Sequence, residues 1–320
     1  MTGQLVTAER SVRPLPGRFF HDHITDAFER RAAPDFSRGH PGKWIKVIDD
    51  LLSQGRLEAA RHALVHLREQ KPDLEWCETV FQLVDRAPEA TARSDAFVDD
   101  PDSDLQVVPL EGARTMVFAF TGRGHRLNMP LWLFHRWMAR LDASVVYVRD
   151  FNDRFYLDGI ASCGSFEATL DRFRQVRAKL GAERVLCLGN CSGGNAALRF
   201  GLQLGAERVF AFSSPFNLDP EFTEFLNRRK TAALLSKTFP GVNLDLRALF
   251  LGAPRRPETV LFYGDKCWDD RIQSEHMGDI PGVALAPVRG YPGHGALPEL
   301  IQRGEFGSVL ERLVAPDAMG

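Results

Sequence analysis

Charge of one sign is what this chain lacks first. Its 40 Lys and Arg against 42 Asp and Glu leave a formal charge of −2, so no basic field exists for nucleic acid or an anionic membrane surface. Neither is an expected partner. Cysteine is scarce: Cys77, Cys163, Cys187, Cys191 and Cys267 are odd in number and never spaced CxxC. That argues against a disulfide framework and against a structural zinc site. There is no signal-peptide pattern and no apolar run of membrane-spanning length, so the expected compartment is the reducing cytoplasm, where a thiol stays usable. HExxH, a compact His/Asp cluster, a Walker lysine and GxGxxG are all missing. No metal and no cofactor are therefore expected.

What is present suits an enzyme-sized core. With 320 residues, 44% of them hydrophobic and 26% charged, the chain can form one large domain with a small appendage. Residues 1–40 are rich in Arg, Pro and His without periodicity and read as an irregular arm. Residues 41–87 read as helical. Trp44, Ile45, Ile48, Leu51 and Leu52 make one apolar face, Gly55 breaks it, and Leu57, Ala60, Ala63, Leu64 and Leu67 make the next. The small residues after Gly55 and Pro72 at the end resemble a tetratricopeptide-type hairpin. One and a half such units cannot bury a solenoid core alone. The segment is expected either to pack on the rear domain or to bind a protein partner or second subunit. Residues 88–104, with prolines and acids, read as a linker.

Beyond the linker, strand and helix patterns alternate as an α/β fold with a mostly parallel sheet requires. Strands are expected at 115–120, 144–148, 184–188, 208–212, 259–263 and 283–287, and helices at 131–141, 166–180, 192–204, 270–277 and 297–314. Continuous apolar strands such as Val185-Leu186-Cys187-Leu188 imply burial on both faces, which puts functional residues at the strands' carboxyl ends.

The most telling of those ends is Gly189-Asn190-Cys191-Ser192-Gly193-Gly194, between an apolar strand and an amphipathic helix. With Cys191 at the tip, the residues two before and two after are Gly189 and Gly193, small enough for a strained turn. With Ser192 at the tip, the bulkier Asn190 would stand two before it. A glycine-rich turn cradling a phosphate is the alternative reading.

The stretch resembles the nucleophile elbow of the α/β-hydrolase superfamily, with cysteine where serine usually stands, and the resemblance spans residues 105–316. It implies an α/β-hydrolase-like fold and a nucleophile, acid, histidine order along the chain. The oxyanion hole would be the backbone N–H groups of Arg123, in Thr121-Gly122-Arg123-Gly124, and Ser192. The base would be His294, in Gly293-His294-Gly295 after the last strand, with His125 in reserve. The acid would be one of three aspartates following Tyr263-Gly264: Asp270, standing where the superfamily places it, or Asp269 or Asp265.

Cysteine at the elbow occurs in dienelactone hydrolases, polyhydroxyalkanoate synthases and some thioesterase domains. The resemblance thus implies a Cys-His-Asp enzyme that cleaves a small-molecule or carrier-bound ester or thioester through a thioester acyl-enzyme. Acyl transfer or cyclisation by the same triad remains open, as does a catalytically silent partner-binding protein. Arg123, His125 and Arg126 either face the pocket or lie on the surface. The charged run Arg149-Asp150-Phe151-Asn152-Asp153-Arg154-Phe155 either recognises substrate or forms a salt-bridged loop. Residues 213–257, a long connection with apolar patches, read as a lid or as an extra helix on the sheet.

Overall fold

The computed structural model describes residues 16–37 and 40–316, and divides the chain into two units between Val84 and Asp85. The first 15 residues of the expected arm lie outside the described residues. The rest of that arm is not all irregular: Pro16–Glu29 form helix α1, which buries Ile24 and Ala27. Helix α2, Pro41–Ser53, starts at His40, whose ring accepts the Gly42 N–H, and buries Trp44, Val47, Ile48, Leu51 and Leu52. Gly55, at φ 74°, lets the chain reverse. Helix α3, Leu57–Gln70, then buries Ala60, Ala63, Leu64 and Leu67. Helix α4, Glu75–Asp85, packs on α3 through the Cys77 thiol, 3.5 Å from the Leu64 carbonyl, and through Arg68 over the Phe81 ring.

The second unit starts before the expected linker ends. Residues 88–104 carry helix α5, Ala92–Asp95, with a Thr91/Ser94 capping box. Arg93 donates to the carbonyls of Leu141 and Ala143, and Phe97 is buried against the His135 and Tyr147 rings. These contacts anchor the segment expected as a linker within the second unit.

Strand β1, Leu105–Val108, runs antiparallel at the sheet edge, and six parallel strands follow: β2 Thr115–Phe120, β3 Ser144–Val148, β4 Arg184–Asn190, β5 Arg208–Phe212, β6 Glu258–Gly264 and β7 Val283–Val288. The order across the sheet is β1-β3-β2-β4-β5-β6-β7. Every residue of β2, β3 and β5 is buried, as strands covered on both faces require. Pro287, which has no N–H to donate, sits on the edge strand β7. The expected mostly parallel sheet flanked by helices is thus present.

The flanking helices are α6 Leu131–Met138, α7 Phe166–Leu180, α8 Ser192–Leu204, α9 Arg229–Thr238, α10 Leu246–Gly252, α11 Trp268–Glu275, α12 Ala296–Gln302 and α13 Phe306–Val314. The single last helix expected over 297–314 is two, because Gly304 adopts φ 74° between them. Under the β2–β4 centre lies an aromatic cluster in which Phe120 stacks on Phe200 and Phe118 packs on Phe173. Each of these fully buried rings contributes roughly 1.5–3 kcal/mol over exposure. From β2 the chain crosses to β3 on one side and later returns to β4 on the other. The crevice at the carboxyl ends of β2 and β4 is therefore the switch point of the fold, where such sheets bind ligands.

Candidate active site

Strand β4 delivers Cys191 to that crevice in a strained conformation. Cys191 has φ 55° and ψ −122°, a region costing a non-glycine residue about 1–3 kcal/mol. Surrounding bonds impose it: its N–H donates to the Phe212 carbonyl at 2.9 Å, and its carbonyl accepts the Gly194 N–H at 3.1 Å. The flanking glycines are steric necessities. A Cβ on Gly189 would strike the Gly193 carbonyl, and one on Gly193 would strike the carbonyls of Phe120 and Thr121. Ser192 is the first residue of α8 and not the tip.

The turn after β2 lies against this elbow, since a Cβ on Gly122 would come within 3.0 Å of the Cys191 Cβ. Among the described residues neither the Arg123 nor the Ser192 N–H has a hydrogen-bond partner. The turn is fixed from behind by Tyr156, whose hydroxyl shares its proton between the Thr121 and Val148 carbonyls at 2.9 and 2.8 Å and lies 3.2 Å from Thr121 Oγ1. Tyr156→Phe is expected to destabilise the fold by about 1–2 kcal/mol, because buried carbonyls lose their donor. Chemical denaturation would measure the loss.

The charged run 149–155 forms a salt-bridged loop that supports Tyr156. Arg149 pairs with Asp99, and Arg154 with Asp158. The Asp150 carboxylate accepts the N–H groups of Asn152, Arg154 and Tyr156 at 3.2, 2.8 and 3.0 Å. Burial raises the Asp150 pKa, and the N–H bonds from Tyr156 and Arg154 oppose that rise.

His294 reaches the elbow from the turn between β7 and α12, and its Nδ1 lies 2.6 Å from Asp270 Oδ1. The imidazole side chain is 39% exposed and the carboxylate 5%. Asp270 stands in the first turn of α11. The other two aspartates have different partners. Asp269 accepts the Asn227 N–H at 3.2 Å, and Asp265 accepts the Gly290 N–H at 2.7 Å. His125 packs edge-on against the Phe151 ring, and the Arg123 side chain is exposed.

Electrostatics set Cys191 apart from the other thiols. Burial pushes its pKa up, but the hydrogen bond with His294 and the charge of Arg228 outweigh this and bring it down to about 6. Burial lowers His294, and its bonds to Asp270 and Cys191 outweigh that in turn, raising it to about 9. Between those values the pair is thiolate and imidazolium. Burial drives Cys77 up to about 11, and raises Cys187 and Cys267. Low pKa is what makes a cysteine a nucleophile near neutrality.

Arg228 is the residue that sequence reasoning missed. It immediately precedes α9 inside the 213–257 segment, and its Nη2 lies 3.3 Å from Cys191 Sγ and 3.1 Å from His294 Nε2. Its local sequence carries no signal, because contacts far along the chain set the path of the segment. Gln273 of α11 accepts the Phe216 and Asn217 N–H groups at 2.7 and 2.8 Å, and Leu218, Leu235 and Leu244 pack with Phe155 and Leu157. Near Arg228 in sequence, Phe225 is 87% exposed, as is 59% of Trp268 beside Asp269. Among the described residues no group of three or more His, Cys, Asp or Glu is placed to hold a metal ion, and no helix is long and apolar enough to cross a membrane.

No protein-family model and no curated protein matches the chain. Solved structures do. The chain is similar to esterase B from Lactobacillus rhamnosis at 16% identity and a TM-score of 0.47, over 80% of this chain and 94% of that one. It is similar to the capsule O-acetyltransferase of Neisseria meningitidis serogroup A at 11% identity and a TM-score of 0.47, over 65% and 91%. A third is the S-formylglutathione hydrolase from Agrobacterium tumefaciens, at 16% identity and a TM-score of 0.41, over 65% and 89%.

Proposed function

We propose that the chain is a hydrolase of a small ester or thioester, with Cys191 as nucleophile, His294 as acid and base, and Asp270 as the group that orients the imidazole. One observation carries this reading. A thiol held at about 6 stands at a strained strand-to-helix turn, beside two unpartnered N–H groups and a His294–Asp270 pair at 2.6 Å.

The Cys191 thiolate attacks the acyl carbon, and the carbonyl electron pair moves to oxygen facing the Arg123 and Ser192 N–H groups. One such donor is worth about 3–4 kcal/mol of transition-state stabilisation. The tetrahedral adduct collapses as the leaving group takes the proton from His294 Nε2, leaving a thioester on Sγ. Water then attacks, His294 accepts its proton, and the thiolate is expelled with the C–S electron pair. Positioned proton transfer of this kind contributes about 10²–10⁴-fold. Asp270 keeps the proton on Nδ1 so that Nε2 faces the reaction.

Covalent labelling tests the reading. A thiol-reactive acyl analogue at neutral pH should modify Cys191 stoichiometrically, ahead of Cys163 and Cys267, and more slowly in His294→Ala. Equal reactivity of Cys191, Cys163 and Cys267 would remove its basis.

A further inference from the structure

Arg228 touches both partners of the proposed reaction through a single nitrogen. Nη2 carries two hydrogens and no lone pair, so at 3.3 Å from Cys191 Sγ and 3.1 Å from His294 Nε2 it can only donate. Both contacts are hydrogen bonds when sulfur and Nε2 both accept. That is the arrangement of a neutral imidazole, its one proton on Nδ1 toward Asp270 and its Nε2 lone pair toward Arg228. An imidazolium would set N–H against N–H at that distance, and would turn its own N–H to the sulfur while Arg228 keeps only the sulfur bond. In either protonation form the guanidinium stays on Sγ.

We propose that Arg228 is a further catalytic residue, a second cation beside His294 for the Cys191 sulfur, which holds its thiolate both as attacking group and as leaving group. This rests on the reading of Cys191 as nucleophile. In deacylation a water O–H proton passes to His294 Nε2 while the water oxygen bonds to the acyl carbon. The C–S bond then breaks, and its electron pair remains on Sγ, where Nη2 donates. A guanidinium suits the task because it is weakly hydrated and stays charged throughout the working pH range.

The groups facing the sulfur come from separate elements: Arg228 from the segment before α9 and His294 from the β7–α12 turn, with Asp270 of α11 behind the ring. Asp269, next to Asp270, holds the backbone of Asn227 at 3.2 Å, the residue before Arg228. A neutral His294 cannot stabilise the thiolate by charge, so removing the imidazole isolates what Arg228 does.

The experiment is the pH dependence of iodoacetamide alkylation of the full chain, followed at Cys191 by peptide mass spectrometry. The variants are His294→Ala, Arg228→Gln, Arg228→Lys and the His294→Ala/Arg228→Gln pair. The His294→Ala thiol should still titrate below the ordinary cysteine value of about 8.5. Adding Arg228→Gln should then cut the thiolate fraction at pH 7 by about tenfold or more. Arg228→Lys should restore part of the loss, because a cation remains without the fork, a rescue that a merely structural role would not give. The proposal is overturned if His294→Ala and the double variant titrate alike, or if Arg228→Gln alone superimposes on the parent. Turnover surviving Cys191→Ala would overturn the nucleophile reading instead, while the titration would still report whether Arg228 acts on the thiol.

Discussion

Cys191→Ala is expected to lower turnover of an activated ester or thioester by at least about 10³-fold, with the fold intact. The magnitude follows from what remains. Removing a nucleophile spares binding and the oxyanion donors, whose residual catalysis over water is about 10³–10⁴-fold in triad enzymes, while the covalent route is lost. The fold should survive because alanine inherits the same φ of 55° and the same strain, and Cys191 is only partly buried. Cys191→Ser should not rescue the rate. A hydroxyl is not ionised at neutral pH by a guanidinium and an imidazole as the thiol is, so the chemistry depends on sulfur. Steady-state rates with a chromogenic acyl ester, together with circular dichroism of each variant, check the expectation. Turnover within about tenfold of the parent would exclude Cys191 as nucleophile.

Asp270→Asn should cost about 10³–10⁴-fold in kcat, the scale seen when an orienting carboxylate in a triad becomes an amide and the imidazole tautomer is lost. The pH profile gives a sharper signature. In the parent, the rate should rise as Cys191 ionises at about 6 and fall as His294 loses its proton at about 9. The His294 value is raised by its partners, so removing the carboxylate must move the alkaline limb toward the ordinary imidazole value of about 6.5. A less cationic ring also stabilises the thiolate less, which moves the acid limb upward. The two limbs approach each other, and the plateau of kcat/KM against pH should narrow from both sides. A residual profile as broad as the parent's would rule out Asp270 as the group that holds His294 charged.

Much of this arrangement was legible in the chain because its determinants are local. Gly189 and Gly193 flank Cys191 since backbone carbonyls occupy the space their Cβ atoms would need, and that constraint shows as spacing. His294 stood out by its glycine-flanked turn between the last strand and the next helix. The three aspartates could not be separated by spacing, since a shift of one residue at the start of α11 turns a carboxylate from the imidazole to the Asn227 backbone. Arg228 was invisible because Gln273, Phe155 and Leu157, distant in sequence, hold the segment around it. Helix α1 hides among arginines, prolines and histidines, with Ile24 and Ala27 buried among its described side chains. Strand β1 is four residues at an antiparallel edge, where half-exposure leaves no continuous apolar run.

The stretch from Asp265 to Asp270 holds three separate pieces with three carboxylates: Asp265 the turn at Gly290, Asp269 the chain at Asn227, and Asp270 the ring of His294. The turn after β7, the chain before Arg228 and the imidazole ring therefore share one short ruler. Lengthening or shortening that ruler by a single residue would misdirect all three fastenings together, so natural variation in this chain should tolerate substitution along the stretch far better than any change in its length.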